Sequence, residues 1–169
     1  GGEEVPYVMN YYKNSIVCYT FSKSLSVPSE RIGYIAVNSE AEDRGNVYAA
    51  VCGAGRSLGY VCAPSLMQQV CAKLIGKTSD ISAYERNRDV LCSALTSYGF
   101  GVVKPQGAFY LFLKSPEHDA NAFAERAKKY ELLLVPGDDF GAEGYVRIAY
   151  CVSPGMIERS LPAFRALAE

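Results

Sequence analysis

Short apolar runs alternate along this chain with longer segments in which apolar residues recur at helical spacing. Two of the short runs, residues 15–20 and 32–37, read as buried strands joined by a polar connection. Residues 1–14 are polar and aromatic, with Pro6, Tyr7, Tyr11 and Tyr12, and are expected to cover a neighbouring element. Residues 38–44 are charged and suit a helix start, and residues 46–52 have helical character, which the glycines of 53–59 should interrupt. A helix is expected from Pro64 to Leu74, with Gly76 at its end. Thr78, Ser79 or Asp80 then caps a longer helix whose apolar face is Ile81, Tyr84, Leu91, Leu95 and Tyr98, and Gly99 stops it. Strands follow at 100–103 and 108–113, around a turn at 104–107 rich in turn formers. Asp119 caps a helix with Phe123, Ala127 and Tyr130 on one side. A short strand at 132–135, a turn at Pro136 and Gly137, and a strand at 145–151 precede a last helix opened by Ser153 and Pro154. Pro162 should kink that helix, because it removes a backbone donor.

After Lys77 the order is helix, strand, strand, helix, strand, strand, helix, an α/β pattern that suits an open-faced sandwich on a small mixed sheet. The 169 residues are enough for one or two small domains with a core, and the net charge of −1 leaves no basic footprint for nucleic acid. The long apolar stretch of 47–75 is broken by Gly53, Gly55, Arg56, Gly59 and Pro64, so it does not read as a membrane span. No signal peptide pattern opens the sequence, and Gly1 and Gly2 read as an expression boundary or a processed end. None of the six cysteines forms a C-x-x-C pair, and His118 is distant from all of them in sequence. Neither a disulfide framework nor a zinc site fits this spacing, so reduced, mostly buried thiols and a cytoplasmic location are expected, with no metal.

Candidate chemistry concentrates in residues 19–34, where the first strand ends and the second begins. Thr20, Ser22, Lys23, Pro28 and Arg31 lie between them. A lysine at the mouth of a strand can be partly desolvated, which favours the neutral amine that imine chemistry needs. Arg31 follows eight positions later at the start of the returning strand, so a hairpin-like path brings its guanidinium back beside Lys23. A planar cation with two hydroxyls makes a phosphate cradle. The set suits a cofactor with an aldehyde at one end and a phosphate at the other; a surface Lys and Arg flanking two ordinary strands is the alternative. The glycines of 53–59 are no dinucleotide fingerprint, since the third follows the first by six positions instead of five.

The strand at 145–151 carries the second charged anchor. Val146, Ile148 and Tyr150 share one face and Arg147 takes the other. An arginine among such apolar neighbours needs an anionic partner, which is either a ligand carboxylate or, in a structural salt bridge, an acid such as the turn residues Asp138 or Asp139.

Thr-Phe-Ser-Lys at 20–23, then Pro28, then Arg-Ile-Gly-Tyr at 31–34 resembles the cofactor-lysine signature of pyridoxal-phosphate aminotransferases of class I/II, fold type I, the aspartate aminotransferase type. Pro-Gln-Gly-Ala-Phe-Tyr at 105–110 and Pro-Gly-Asp-Asp-Phe-Gly at 136–141 resemble two further motifs of that family, so the likeness spans nearly the whole chain. It implies that residues 1–76 are the C-terminal remnant of a large cofactor-binding domain, with its last strands and helices, and residues 77–169 the small C-terminal domain. It implies that Lys23 forms the Schiff base with pyridoxal 5'-phosphate, that Thr20, Ser22 and Arg31 hold the phosphate, and that Arg147 binds the α-carboxylate of an amino acid. Thr20 stands where the family usually has Ser, which keeps the hydroxyl. Arg56 falls where some dicarboxylate-specific relatives carry an arginine, but its surroundings match poorly, and a solvated arginine at a helix break is the favoured reading.

The implied reaction moves an amino group between an amino acid and a 2-oxo acid, in a homodimer. Alternatives within the same likeness are a lyase acting on a sulfur amino acid and a non-catalytic module. The family's acidic group at the pyridine nitrogen, its ring-stacking aromatic and its glycine-rich phosphate loop match nothing in residues 1–22, so this chain by itself is expected to bind no cofactor stably and to be inactive.

Overall fold

Asp80 starts the longest helix with its own side chain, accepting a hydrogen bond from Ala83 N at 3.1 Å. The computed structural model describes residues 4–169, so the boundary expected at Gly1 and Gly2 lies outside the described residues. The chain divides into two compact units, one of residues 80–169 and one of the described residues up to Ser79.

In the later unit, α4 (Ile81–Ser97) buries Leu91, Cys92 and Leu95 on one face, as the helical spacing of its leucines requires. Ile81 does not share that face and is 58% exposed, contrary to the sequence expectation, because it opens the first turn, ahead of the buried stretch. Gly99 ends the helix at φ +91, with Gly99 N donating to Thr96 O at 3.0 Å and Phe100 N to Leu95 O at 3.1 Å. Then follow β3 (Val102–Val103), β4 (Tyr110–Lys114), α5 (Ala120–Lys128), β5 (Val135–Pro136), β6 (Tyr145–Ala149) and α6 (Pro154–Ala168), the last running on through Pro162. The strand order is β3-β4-β6-β5, and every pairing is antiparallel.

The expected mixed sheet is therefore corrected. β4 and β5 do run parallel, joined across α5, but β6 lies between them and is antiparallel to both, so the parallel strands never touch. The strand expected at 132–135 is shortened and shifted to Val135–Pro136, while Leu132 and Leu134 are buried in the core from a segment without ladder pairing.

Alternation along the two central strands decides which side is dry. Leu111 and Leu113 of β4 and Val146 and Ile148 of β6 join Leu91, Leu95, Phe123, Ala127, Phe164 and Leu167 in one core. Tyr110, Phe112 and Arg147 take the opposite side of the sheet and remain half-buried. Buried Asn87 of α4 fastens the end of β6, its Nδ2 donating to Tyr150 O at 3.0 Å and to Val152 O at 2.7 Å.

Arg88 Nε and Lys104 Nζ each lie 3.0 Å from Asp89 Oδ1, tying α4 to the β3–β4 turn. The hydrogen bond from Arg88, and after it that from Lys104, lowers the Asp89 carboxyl to about 2. A carboxylate depressed in the folded state adds stability above its ordinary value of 3.8, and that contribution fades as pH falls through about 2. Carboxyl-carbon NMR should show Asp89 titrating near 2, and Lys104→Ala should move it upward; an Asp89 midpoint near its ordinary value would refute the tie.

In the earlier unit, β1 (Ile16–Thr20) pairs antiparallel with β2 (Gly33–Val37), Thr20 opposite Gly33. A Cβ on Gly33 would lie 2.3 Å from Tyr19 O, so the close crossing requires glycine there. The turn at Val8–Asn10 packs on β1, and buried Asn38 anchors it by donating to Met9 O at 3.0 Å. The strands were expected to be buried and are not: Ile16, Tyr19, Tyr34 and Ile35 are exposed. The physical reason is thin cover, since Ile32 and Cys71 are this unit's fully buried apolar residues among those described.

Residues 39–43 form a turn, and α2 begins at Arg44 and continues to Ser57, straight through Gly53 and Gly55. The expected break there is corrected. Glycine weakens a helix but does not end it, and the end comes at Gly59 (φ +84), where Gly59 N donates to Arg56 O at 3.0 Å and Tyr60 N to Gly55 O at 2.8 Å. Pro64 then leads into α3 (Ser65–Lys73).

All six cysteines are free thiols. Only Cys71 and Cys92 are buried, and Cys18, Cys52, Cys62 and Cys151 are exposed, which corrects the expectation that most would be core residues. Three of the exposed four belong to the thinly covered earlier unit. Among the described residues no helix is long and apolar enough to cross a membrane.

Candidate functional site

Thr20 ends β1 in extended conformation and caps one turn of helix, α1 (Phe21–Ser24). Its Oγ1 accepts from Ser22 N at 3.2 Å and donates to Ser22 Oγ at 2.9 Å, which locks the two hydroxyls together. Ser22 is buried. Lys23, next in the turn, is exposed, so the sequence argument for desolvation is corrected: a side chain on the outer side of a single turn stays in contact with solvent. Ser24 Oγ is buried without a hydrogen-bond partner among the described residues.

The chain returns through the turn Pro28–Glu30, which packs on α1. Arg31 follows with a left-handed backbone (φ 49), and its guanidinium donates to Pro28 O at 3.0 Å. Phe21 N donates to Ile32 O at 3.1 Å, closing the connection. Thr20, Ser22, Lys23 and Arg31 thus lie at one end of the β1–β2 ladder, on or beside the connection between its strands. The expectation that the guanidinium of Arg31 returns beside Lys23 is corrected: Arg31 precedes β2, and its own left-handed turn directs the guanidinium to Pro28 O and to a cleft that Lys23 does not line.

Arg31 also lines an open cleft of about 1100 Å³ with Tyr19, Tyr34, Arg56 and Tyr60. Arg56 lies in the last turn of α2, not at a break before it. The sequence reading missed its place beside Arg31's cleft because it took Gly53 and Gly55 for breakers; glycines with no proline among them were the available signal.

The second anchor belongs to the other unit. Arg147 sits on β6 opposite Phe112 of β4 on one side and Val135 of β5 on the other. Its guanidinium carbon lies 4.3 Å from the centre of the Tyr110 ring and 4.0 Å from that of Phe140. No ion pair involves Arg147 among the described residues. The reading in which Asp138 or Asp139 neutralises it is corrected: Asp138 instead accepts from Asn121 Nδ2 at 2.9 Å. Tyr110 and Phe140 both lay in motifs visible in the sequence but received no role there. Tyr110 follows from register, since it stands two residues before Arg147's direct partner Phe112 and so shares its face. Among the described residues no cluster of three or more metal-ligating side chains occurs.

A family model described as aminotransferase class I and II matches residues 3–164. The aromatic-amino-acid aminotransferase 2 of Thermococcus litoralis is 29% identical over 158 residues, covering 89% of this chain and 40% of that protein. A probable aspartate/prephenate aminotransferase of Aquifex aeolicus is 32% identical over 152 residues, covering 79% of this chain and 36% of its own. Among solved structures, an aminotransferase from Eubacterium rectale superposes with a TM-score of 0.91 at 55% identity, over 98% of this chain and 42% of that one. The aspartate aminotransferase of Thermotoga maritima gives a TM-score of 0.74 at 26% identity, over 89% of this chain and 39% of that one. The chain spans about two fifths of the length of these relatives.

Proposed function

The chain belongs to the class I and II aminotransferases, and from that premise we propose that it carries the cofactor lysine and the substrate-carboxylate arginine of an enzyme that moves an amino group between an amino acid and a 2-oxo acid. The observation that supports this reading is the placement of Thr20, Ser22, Lys23 and Arg31 on one connection, at the same end of the β1–β2 ladder. That donor set fits the family's cofactor, pyridoxal phosphate. An exposed lysine, two linked hydroxyls and a guanidinium stand on the same connection, and the buried, unpartnered Ser24 Oγ adds a further polar atom beside them.

Pyridoxal phosphate, when bound, supplies the electron sink for chemistry at the α-carbon. The roles of the protein groups follow from their chemistry. Lys23 would hold the cofactor through its amine and would move a proton at the substrate α-carbon. Thr20, Ser22 and Arg31 hold the phosphate by charge-assisted hydrogen bonds. Arg147 takes the α-carboxylate. In this reading residues 1–76 end a large cofactor-binding domain, residues 77–169 form the small C-terminal domain, and the enzyme works as a homodimer in the cytoplasm.

Relatives named for aspartate, prephenate and aromatic amino acids match the same stretch, so aspartate is the first substrate to assay and not the only one. The test uses the full-length protein, with 2-oxo acid formation followed with and without an amino acceptor. Acceptor-dependent formation is expected. Acceptor-independent release of ammonia from a sulfur amino acid would identify a lyase instead. Bound cofactor without turnover of any amino acid would identify a non-catalytic module.

A further inference from the structure

Resting on the assignment of Arg147 above, we propose that Tyr110 and Phe140 are positioning residues: they clamp the guanidinium of Arg147 between their rings and present its edge to the substrate carboxylate. An arginine with no carboxylate neighbour keeps all its donors available but lacks the partner that usually fixes its direction. The structure replaces that partner with two aromatic faces, at 4.3 and 4.0 Å from the guanidinium carbon. Among the described residues Tyr110 and Phe140 form no ring pair with each other, as rings on different sides of the cation would not. Ring faces attract the charge without consuming a single N–H, so the fork at the guanidinium edge stays available for a bidentate grip. An acid in place of either ring would occupy that fork and compete with the substrate.

Both rings are held by backbone. Tyr110 stands opposite Ala149 in the β4–β6 ladder. Just before it, Ala108 adopts φ +60, a conformation that needs support, and Tyr150 supplies it: its hydroxyl donates to Ala108 O at 3.0 Å and its N to Phe109 O at 2.9 Å. Tyr150 is buried, which pushes its hydroxyl pKa up and keeps it a neutral donor, and Asn87 grips its carbonyl. Phe140 ends the turn Asp138–Phe140, entered at Gly137. A Cβ at Gly137 would lie 2.3 Å from Ala142 O, and Gly137 N donates to Tyr145 O at 2.7 Å, which ties this turn directly to the start of β6.

The experiment compares Tyr110→Ala, Tyr110→Leu, Tyr110→Phe and the matching Phe140→Ala, Phe140→Leu and Phe140→Tyr variants in the full-length, cofactor-loaded protein. Two readouts are taken: the dissociation constants of succinate and 3-phenylpropanoate, carboxylates without an amino group, and the split between KM and kcat. Loss of either ring is expected to weaken the carboxylates and raise KM by about tenfold, with kcat falling less than KM rises. The ring-preserving variants should recover the affinity. The Leu variants keep bulk while removing the π face, so they serve if an Ala variant fails to fold.

Carboxylate affinities in the Leu variants matching the unsubstituted protein, with Arg147→Ala still losing them, would overturn the clamp and leave the role of Arg147 standing. Unchanged affinity in Arg147→Ala itself would overturn the assignment on which the clamp rests.

Discussion

Lys23→Ala in the full-length protein is expected to lower transamination by at least about 10³-fold, because in the proposed function the same side chain both attaches the cofactor and moves the proton. A positioned acid–base group alone contributes about 10²–10⁴-fold, and loss of the covalent attachment adds to that. Borohydride treatment of the unsubstituted protein followed by peptide mapping should place the cofactor on Lys23, and the Ala variant should lose that labelled peptide. The fold should tolerate the change. Lys23 is exposed on a single turn whose capping is done by Thr20, so truncation leaves the cap of that turn in place. Label on another lysine in the unsubstituted protein, or activity within tenfold in the variant, would remove Lys23 from the site.

Much of this was legible in the chain, and what was not has identifiable physical causes. The seven elements after Lys77 came out in order because the three helices that flank the strands are punctuated locally: Asp80, Gly99, Asp119 and Ser153 act through side-chain caps or a left-handed glycine. The sheet's pairing did not come out, since nothing local says that β6 inserts between β4 and β5; that is decided by tertiary packing. Burial of β1 and β2 was misread because an apolar run shows that a strand has something to bury against, not that the partner lies within these residues. At the site, the alternation of β6 was enough to set Arg147 apart from Val146 and Ile148. What faces Arg147 was hidden, as Tyr110 and Phe140 lie 37 and 7 positions away and meet it only through the ladder and the turn before it.

That environment also fixes what removing Arg147 should do. Among the described residues no ion pair depends on it, so Arg147→Ala should shift the melting temperature by only a few degrees, through loss of two ring contacts of about 0.5–1 kcal/mol each at a half-buried site. Substrate binding should suffer far more. Truncating one partner of a hydrogen-bonded charge pair costs about 2–5 kcal/mol, and for a half-buried arginine the lower part of that range applies, a loss of about 30- to 200-fold in amino-acid affinity. Arg147→Lys should recover only part of it, since an ammonium keeps the charge but offers neither the fork nor a plane to lie between two rings. Cofactor affinity should be nearly unchanged in both variants, because the proposed phosphate partners Thr20, Ser22 and Arg31 belong to the other unit. A variant that loses several kcal/mol of folding stability while keeping its affinity for the amino acid would make Arg147 a structural residue, held by its rings for the sake of the sheet.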